Sequence, residues 1–280
     1  MRANSASVGR LVVCPTPIGN LKDVTLRVLA TLADADVVAC EDTRHTRVLL
    51  ARHGIAAPLL SVHEHNERAR VAEVLGRVRA GALVALVSDA GTPLVSDPGF
   101  ALVRGCIAAG LPLEVLPGPS AVVTALVASG LPAERWRFVG FLPRSRAELR
   151  ELLAGASETL VAFESPRRLA ATLELLAAHD PRRALAVCRE LSKRHEEVRR
   201  AGAAELAEHY RANPARGELV LVIGAATPAQ ASEARVREAL AALAELIDAG
   251  ARPRAAAGVV ARLTGVRANE LYRAQTRARR

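Results

Sequence analysis

The sequence predicts an α/β fold: a mostly parallel sheet with helices on both faces, followed by a second α/β unit and a helical extension. Three observations predict it. Short apolar runs alternate with helix-periodic segments through most of the 280 residues, which is the pattern of repeated strand–helix–strand units. Several of those runs end in loops rich in Gly, Pro, Ser and Asp. Beyond Ser232 the apolar spacing is helical only.

The elements follow in order. Leu11 to Cys14 reads as the first strand and runs into Pro15-Thr16-Pro17-Ile18-Gly19-Asn20. Asp23 or Thr25 can cap a helix through Leu26, Leu29 and Leu32. Val37 to Cys40 is a strand ending in Glu41-Asp42-Thr43-Arg44-His45-Thr46-Arg47, with Thr43 as cap of a helix running to His53. Leu59 to Val62 is a strand ending in His63-Glu64-His65-Asn66, and a helix spans Glu67 to Ala80. Leu83 to Val87 leads into Ser88-Asp89-Ala90-Gly91-Thr92-Pro93-Leu94-Val95-Ser96-Asp97-Pro98-Gly99, and a helix follows from Phe100 to Ala109. Leu113 to Leu116 is a strand before Pro117-Gly118-Pro119-Ser120, where a helix runs on to Ala128.

The pattern restarts after Gly130 and Pro132. Strands are expected at Phe138 to Phe141, Thr159 to Phe163, Leu185 to Cys188 and Leu219 to Ile223. Helices are expected within Pro143 to Gly155, up to His179, and over 203–212. Ala225 to Ser232 reads as a linker. Helices then cover Val236 to Ile247, Pro253 to Leu263 and Ala268 to Arg277, the last two joined by Thr264-Gly265-Val266 in the manner of a helix-turn-helix. The units are 9–130, 131–226 and 232–280. Residues 1–8 read as a disordered lead-in.

Composition narrows the class. Half the residues are hydrophobic but only 2% are aromatic, so Val, Leu and Ala must build the core. No uninterrupted apolar run of roughly 18 residues occurs, so no transmembrane helix is expected. The N-terminus lacks the apolar stretch of a secretory signal. Cys14, Cys40, Cys106 and Cys188 fit no zinc spacing and read as small buried hydrophobes, matching a reducing cytoplasm. Neighbours in His63-Glu64-His65 point to opposite sides of an extended segment, which splits Glu64 from the two histidines, so no metal is expected there. Net charge is +9, and eight arginines stand against the single acid Glu270 between Arg252 and Arg280. Such a tail points to a polyanion, nucleic acid first. Only Tyr272 offers a base-stacking ring in the tail, so its binding is expected to run on charge, with strong salt dependence.

Ligands of open α/β sheets bind at the carboxyl ends of strands. Three Gly/Pro-rich loops at such ends predict one shared pocket, and the first of them lacks G-x-G-x-x-G, which argues against a Rossmann-type dinucleotide site. The loop motifs are also specific. Thr16-Pro17-Ile18-Gly19-Asn20-Leu21, Glu41-Asp42-Thr43-Arg44-His45-Thr46, Ser88-Asp89-Ala90-Gly91-Thr92-Pro93, Asp97-Pro98-Gly99, Pro117-Gly118-Pro119-Ser120, Gly140-Phe141-Leu142-Pro143, Glu164-Ser165-Pro166-Arg167-Arg168-Leu169 and Arg189-Glu190-Leu191-Ser192-Lys193 occur in that order. In this the chain resembles the ribosomal RNA small subunit methyltransferase I family of the tetrapyrrole methylase superfamily, over about residues 10–224 plus the helical tail.

The resemblance implies two α/β domains of the tetrapyrrole methylase type with S-adenosylmethionine in the cleft between them. It also implies 2′-O-methylation of a cytidine in 16S ribosomal RNA at the decoding centre of the small subunit, a homodimer, and a cytoplasmic enzyme. Porphyrin and corrin members of the superfamily carry Gly-Asp-Pro where this chain has Gly91-Thr92-Pro93, so a direct tetrapyrrole role is disfavoured. On this basis Pro17, the backbone of Asp89, Ala90, Gly91, Thr92 and Pro93, and Ser96 are expected to line the cofactor, Gly91 by allowing close backbone approach. The helix start at Ser120 and Ala121 offers N–H groups to a carboxylate. Phe163, Glu164, Glu190 and Leu191 close the other side.

The ribose hydroxyl must lose a proton, and Asp42, His65 and Asp89 are the candidate acceptors. Arg44, Arg47, Arg144 and Arg167, with Arg267, Tyr272 and Arg273 of the tail, are the candidate RNA contacts; arginine's planar fork suits phosphate oxygens. Two other activities stay open at this level: C-methylation of a tetrapyrrole precursor, and a non-catalytic RNA-binding role in ribosome assembly.

Overall fold

The computed structural model describes residues 9–226 other than 155, and 228–278. The lead-in expected over 1–8, Gly155, Thr227 of the expected linker, and Arg279 and Arg280 of the tail lie outside the described residues.

Five strands form the first sheet: β1 (Arg10–Val13), β2 (Val37–Cys40), β3 (Leu59–Ser61), β4 (Leu83–Val87) and β5 (Leu113–Val115). Their order is β3-β2-β4-β1-β5 and every pairing is parallel. β2 is buried along its whole length and β1 and β4 nearly so, as the continuous Val, Leu and Ala runs require of strands covered on both faces. Helices α1 (Leu26–Asp34), α2 (Thr43–Arg52), α3 (Glu67–Arg79) and α4 (Phe100–Ala108) supply the covers. One core packs α3 and α4 on the sheet through Val74, Leu75, Val78, Leu102 and Cys106. The other packs α1 and α2 through Val28, Leu32, Leu49 and Leu50. Each such side chain contributes roughly 1.5–3 kcal/mol.

Thr25 caps α1, accepting the Val28 N–H at 3.1 Å. Asp23 instead lies in a short 3₁₀ turn. Asp42, not Thr43, caps α2: its carboxylate accepts the Arg44 N–H at 2.8 Å, and Thr43 is the first helical residue.

Helix α5 (Ala121–Ser129) comes before the expected boundary but packs on the second sheet. Val122, Ala125 and Leu126 meet Val161, Ala186, Cys188 and Val220. That sheet contains β6 (Trp136–Phe141), β7 (Thr159–Glu164), β8 (Ala184–Arg189), β9 (Glu197–Gly202) and β10 (Leu219–Ile223), ordered β6-β7-β10-β8-β9. This sheet, unlike the first, is mixed. β6 and β7 are parallel, but β10 runs antiparallel to both β7 and β8, and β9 antiparallel to β8. β9 itself was not expected. Its Glu-Val-Arg-Arg-Ala-Gly pairs on one side only and has no buried residue, so it carries no apolar alternation.

Helices α6 (Arg146–Ala154), α7 (Pro166–His179) and α8 (Ala203–Ala212) cover the other face through a leucine-rich core. A buried arginine stitches that core. Arg183 donates Nε–H to the Gly224 carbonyl and a terminal N–H to Leu153, both at 2.8 Å.

The tail forms α9 (Pro228–Asp248), α10 (Pro253–Thr264) and α11 (Ala268–Ala278). The linker is therefore shorter than expected, because α9 begins at Pro228 rather than near Val236. The three helices share a core of their own, including Leu243, Val260, Val266 and Leu271, and α9 touches α6. Gly265 ends α10 in the left-handed conformation, giving the sharp turn into α11. No helix of the described residues is long and apolar enough to cross a membrane. All four cysteines are free and buried.

Candidate active site

The three loops meet at the carboxyl ends of the first sheet. β1 and β4 are adjacent and end in near register, with Val13 opposite Leu86, so the segments after them lie side by side. Thr16 and Gly91 exchange both backbone hydrogen bonds, at 2.8 and 3.0 Å. The Thr16 hydroxyl donates to the Ser88 carbonyl at 3.0 Å, and the Thr92 hydroxyl donates to the Pro119 carbonyl at 3.0 Å. Gly91 holds φ +77°, which its partnership with Thr16 requires. The opposite lobe reaches the same place, since the Asn20 N–H donates to the Ser192 hydroxyl at 3.1 Å.

Between the lobes is a cavity of about 400 Å³. Ile18, Ala90, Val95, Ser96, Asp97 and Ala121 line it from one side. Phe141, Phe163, Glu164, Ser165, Pro166, Cys188, Leu191 and Gly217 to Val220 line it from the other. Among the described residues, the non-glycine positions with positive φ are Leu94, Ser96, Glu190 and Ser192. All four lie in the two loops that flank this cavity. Left-handed backbone costs such residues of order 1–3 kcal/mol each and persists only where surroundings over-determine it, a habit of active sites.

The expected cofactor residues divide. Ala90, Ser96, Ala121, Phe163, Glu164 and Leu191 line the cavity. Pro17, Asp89, Gly91, Thr92, Pro93, Ser120 and Glu190 adjoin it in sequence but are not in its wall. Glu190 is used structurally: its carboxylate accepts the Glu218 N–H at 2.9 Å and pairs with Lys193 at 3.0 Å, contacts that hold it below the usual carboxylate range. Ser120 makes no side-chain cap, which leaves the first-turn N–H groups of α5 without a side-chain acceptor.

The candidate proton acceptors differ in what already holds them. Asp42 grips Arg44 through both oxygens, at 2.6–3.1 Å, and the guanidinium and N–H of Arg44 keep it well below the usual carboxylate range. A carboxylate so stabilised is a weak base. Asp89 accepts the Asp42 N–H at 3.0 Å on one oxygen and faces His45 Nδ1 at 3.4 Å with the other, so it joins the loop after β2 to the loop after β4. His65 is exposed, its ring 6.0 Å from that of His63. Among the described residues no group of three or more His, Cys, Asp or Glu could hold a metal ion.

Arg44, Arg47, Arg144 and Arg167 are all exposed. Arg44 and Arg47 sit on α2; Arg44 is held by Asp42, and Arg47 lines a separate hollow with Leu50, Ile55 and Leu59. Arg144 follows Phe141 by three residues and Arg167 follows Pro166, so both are near wall residues in sequence, but neither lines the cavity. Arg168 has a different role: it donates to the Leu142 and Pro143 carbonyls and meets the buried Glu164 at 3.4 Å. Arg267, Tyr272 and Arg273 are exposed on the tail, with Arg254 over the Tyr272 ring at 5.9 Å.

Sequence reasoning missed part of the wall: Ile18, Val95, Asp97, Phe141, Ser165, Pro166, Cys188 and the run from Gly217 to Val220. Phe141 had a signal, since it stands 61% exposed in a chain nearly devoid of aromatics. Asp97 lay within a quoted motif but read as a turn residue. Cys188 is no nucleophile, because burial pushes its thiol up to about 11.

The wall suits S-adenosylmethionine. Phe141 and Phe163, with ring centroids 5.5 Å apart, and the apolar Ile18, Val95 and Leu191 offer surface for an adenine ring and a carbon chain. Asp97, Glu164 and Glu218 bring negative charge for a cation, and the start of α5 bares N–H groups for a carboxylate. The volume falls in the range of cofactor pockets.

Comparison with known proteins gives a consistent result. The family model for tetrapyrrole (corrin/porphyrin) methylases matches residues 10–207. The chain is 44% identical to ribosomal RNA small subunit methyltransferase I of Mesorhizobium japonicum, covering 94% of this chain and 90% of that protein. It is 40% identical to the protein of that name from Escherichia coli O157:H7, covering 95% and 94%. The protein of that name from Thermotoga maritima is 41% identical and is 98% covered, yet spans only 77% of this chain. Among solved structures, uroporphyrin-III C-methyltransferase of Thermus thermophilus complexed with S-adenyl homocysteine matches with a TM-score of 0.54 and 25% identity, covering 77% of this chain and 97% of that one. Cobalt precorrin-4 methyltransferase matches in fold, with a TM-score of 0.60 at 19% identity over 80% of this chain and 98% of that one.

Proposed function

The chain belongs to the tetrapyrrole methylase family, in its ribosomal RNA small subunit methyltransferase I group, and on that premise we propose that it methylates the 2′-oxygen of a cytidine ribose in 16S ribosomal RNA, at the decoding centre of the small subunit. The observation that carries this reading is 40–45% identity to enzymes of that name over nearly the whole chain. The cleft supports it with a wall fitted to S-adenosylmethionine. At the position where corrin and porphyrin enzymes place an aspartate stands Thr92, whose hydroxyl is used to tie its loop to Pro119. That supports a ribose rather than a tetrapyrrole as acceptor.

When bound, S-adenosylmethionine supplies a methyl group on a sulfonium centre. The protein's part is alignment and exclusion of water, and alignment alone can lower a barrier by roughly 7–11 kcal/mol. Phe141, Phe163, Val95 and Leu191 keep the cavity dry. Pro17, the backbone from Asp89 to Pro93, and Ser96 shape its floor through the Thr16–Gly91 bridge. Ser120 and Ala121 present N–H groups. Glu164 is held rigidly, accepting the Ser165 N–H and the Thr172 hydroxyl at 2.7 Å each, so its charge stays at a fixed place on the wall. Asp89 acts by position, locking the loop after β2 onto the cavity loop. Arg44, Arg47, Arg144 and Arg167, all exposed, hold phosphates of the RNA. Arg267, Tyr272 and Arg273 add a second grip on RNA through the tail.

For the chain's division we propose 9–130, 131–226 and 232–280, with α5 as the helix that joins the first two. A homodimer in the cytoplasm completes the reading. The outward face of α5 supports the dimer, with Val123 and Val127 at 50% and 75% exposure. Four unpaired, buried thiols support the reducing compartment.

The test offers labelled cofactor with small subunits, naked 16S RNA, or a precorrin. Label in RNA that blocks alkaline cleavage at one cytidine supports the proposal. Label in the tetrapyrrole alone, or tight RNA binding with no label, sinks it.

A further inference from the structure

Three carboxyl groups line the cavity: Asp97, Glu164 and Glu218. Two are committed. Glu164 is fully buried, on the Ser165 N–H, the Thr172 hydroxyl and Arg168. Glu218 pairs with Lys193 at 2.9 Å. Asp97 sits differently. It is carried by a loop that is left-handed at Leu94 and Ser96, two strained positions within three residues of it. The Ser88 hydroxyl, between the Gly91 carbonyl and Asp97, is its hydrogen-bonding neighbour. The charged groups facing it are Glu41, from the end of β2, and Asp89, from the end of β4. Glu41 in turn is faced by His63, Asp42 and Glu64, and Asp89 by His45.

We infer that Asp97 is the catalytic base of the methyl transfer, taking the proton of the ribose 2′-hydroxyl; this rests on the function proposed above. The oxygen's bond to the methyl carbon forms as the methyl–sulfur bond breaks. The electron pair of the breaking bond stays with the departing sulfur and neutralises it, and the proton passes from the oxygen to the Asp97 carboxylate. Burial first, then Glu41 and Asp89, raise Asp97 from 3.8 to about 6, partly offset by Ser88. It is therefore ionised at neutral pH and a far stronger base than the Arg44-bound Asp42. The sequence offered Asp42 and Asp89 because it could not say which carboxylates were already engaged, and His65 because it could not say that the ring stands outside the cavity wall.

Two measurements on the full chain test this. In ligand-free protein labelled with ¹³C-aspartate, the Asp97 carboxyl resonance, identified by its loss in Asp97→Asn, should titrate near 6; a midpoint near that of an exposed aspartate overturns the inference. In single turnover on small subunits at saturating cofactor, the wild-type rate should rise tenfold per pH unit up to about 6 and then level. Asp97→Asn should lose about 10²–10⁴-fold and lack that limb, while Asp97→Glu recovers part of the rate. Should the Asn variant not fold, as judged by calorimetric cofactor binding, the Glu variant's displaced limb carries the comparison. An Asn variant within tenfold of wild type, with the same limb, overturns the inference alone. A wild type that leaves subunits unmethylated throughout sinks the proposed function and the inference together.

Discussion

Replacing Gly91 by alanine probes the junction on which the cavity floor rests. The residue holds φ +77°, and a Cβ there would stand 3.3 Å from Ile18 Cγ2. Left-handed backbone costs an L residue roughly 1–2 kcal/mol, and Ile18 must also give by a few tenths of an ångström. If the backbone relaxes instead, the two bonds with Thr16 are lost, at about 0.5–1.5 kcal/mol each. Either route costs about 1–3 kcal/mol, which lowers the melting temperature by roughly 2–4 °C per kcal/mol in a chain of this size. Ile18 and Ala90 are cavity wall, so part of the distortion reaches the cofactor. If 1–2 kcal/mol does, affinity falls about 5- to 30-fold. Gly110→Ala is the control: it carries φ +63° with nothing within 4 Å of its would-be Cβ, between α4 and β5. It should show a similar thermal shift and unchanged affinity by calorimetry. If the two variants bind cofactor equally, the Thr16–Gly91 bridge does not shape the site.

Three further outcomes follow from the same structure. Asp97 titrates higher folded than unfolded, so its contribution to stability is full below 3.8 and is lost as pH rises through about 6. Asp97→Asn removes that loss and should stabilise the protein at pH 7.5, by at most about 3 kcal/mol, with the gain gone near pH 4; thermal unfolding at both values checks it. Glu164→Ala leaves Arg168 and the Thr172 hydroxyl without their buried partner and should cost about 3–5 kcal/mol in urea unfolding, whereas a cost under 1 kcal/mol would mean the carboxylate is not held as described. Truncation before residue 228 removes a unit with its own core, so cofactor binding should survive in the folded remainder. RNA affinity should drop and its salt dependence flatten, and equal salt slopes with and without the tail would assign the tail no phosphate contact.

Much of the fold was legible because its signals are local. Short apolar runs marked nine of the ten strands among the described residues, and Thr25, Pro253 and Gly265 marked helix ends by their own chemistry. β9 was illegible because an edge strand with no buried residue needs no apolar pattern. The antiparallel turn of the second sheet was illegible for another reason: a buried strand reads the same whichever way its neighbours run. At the candidate site, loop motifs pointed to strand ends that the structure brings to one cavity, but side-chain engagement did not show. Asp42 looked like a base until its carboxylate was found on Arg44, and Asp97 looked like a turn until its loop was found to aim it into the cavity.

The sequence by itself determined that the chain is α/β, that loops rich in Gly, Pro, Ser and Asp stand at its strand ends, and that its tail is a basic helical module. These follow from periodicity, turn chemistry and charge, which act over a few residues at a time. Only the tertiary structure decided that α5 crosses to the second sheet, that the cavity wall draws equally on residues near 18, 96, 141, 164 and 219, and which carboxylates remain for chemistry. Those depend on which groups meet across long separations and which have left water, and no local pattern encodes either.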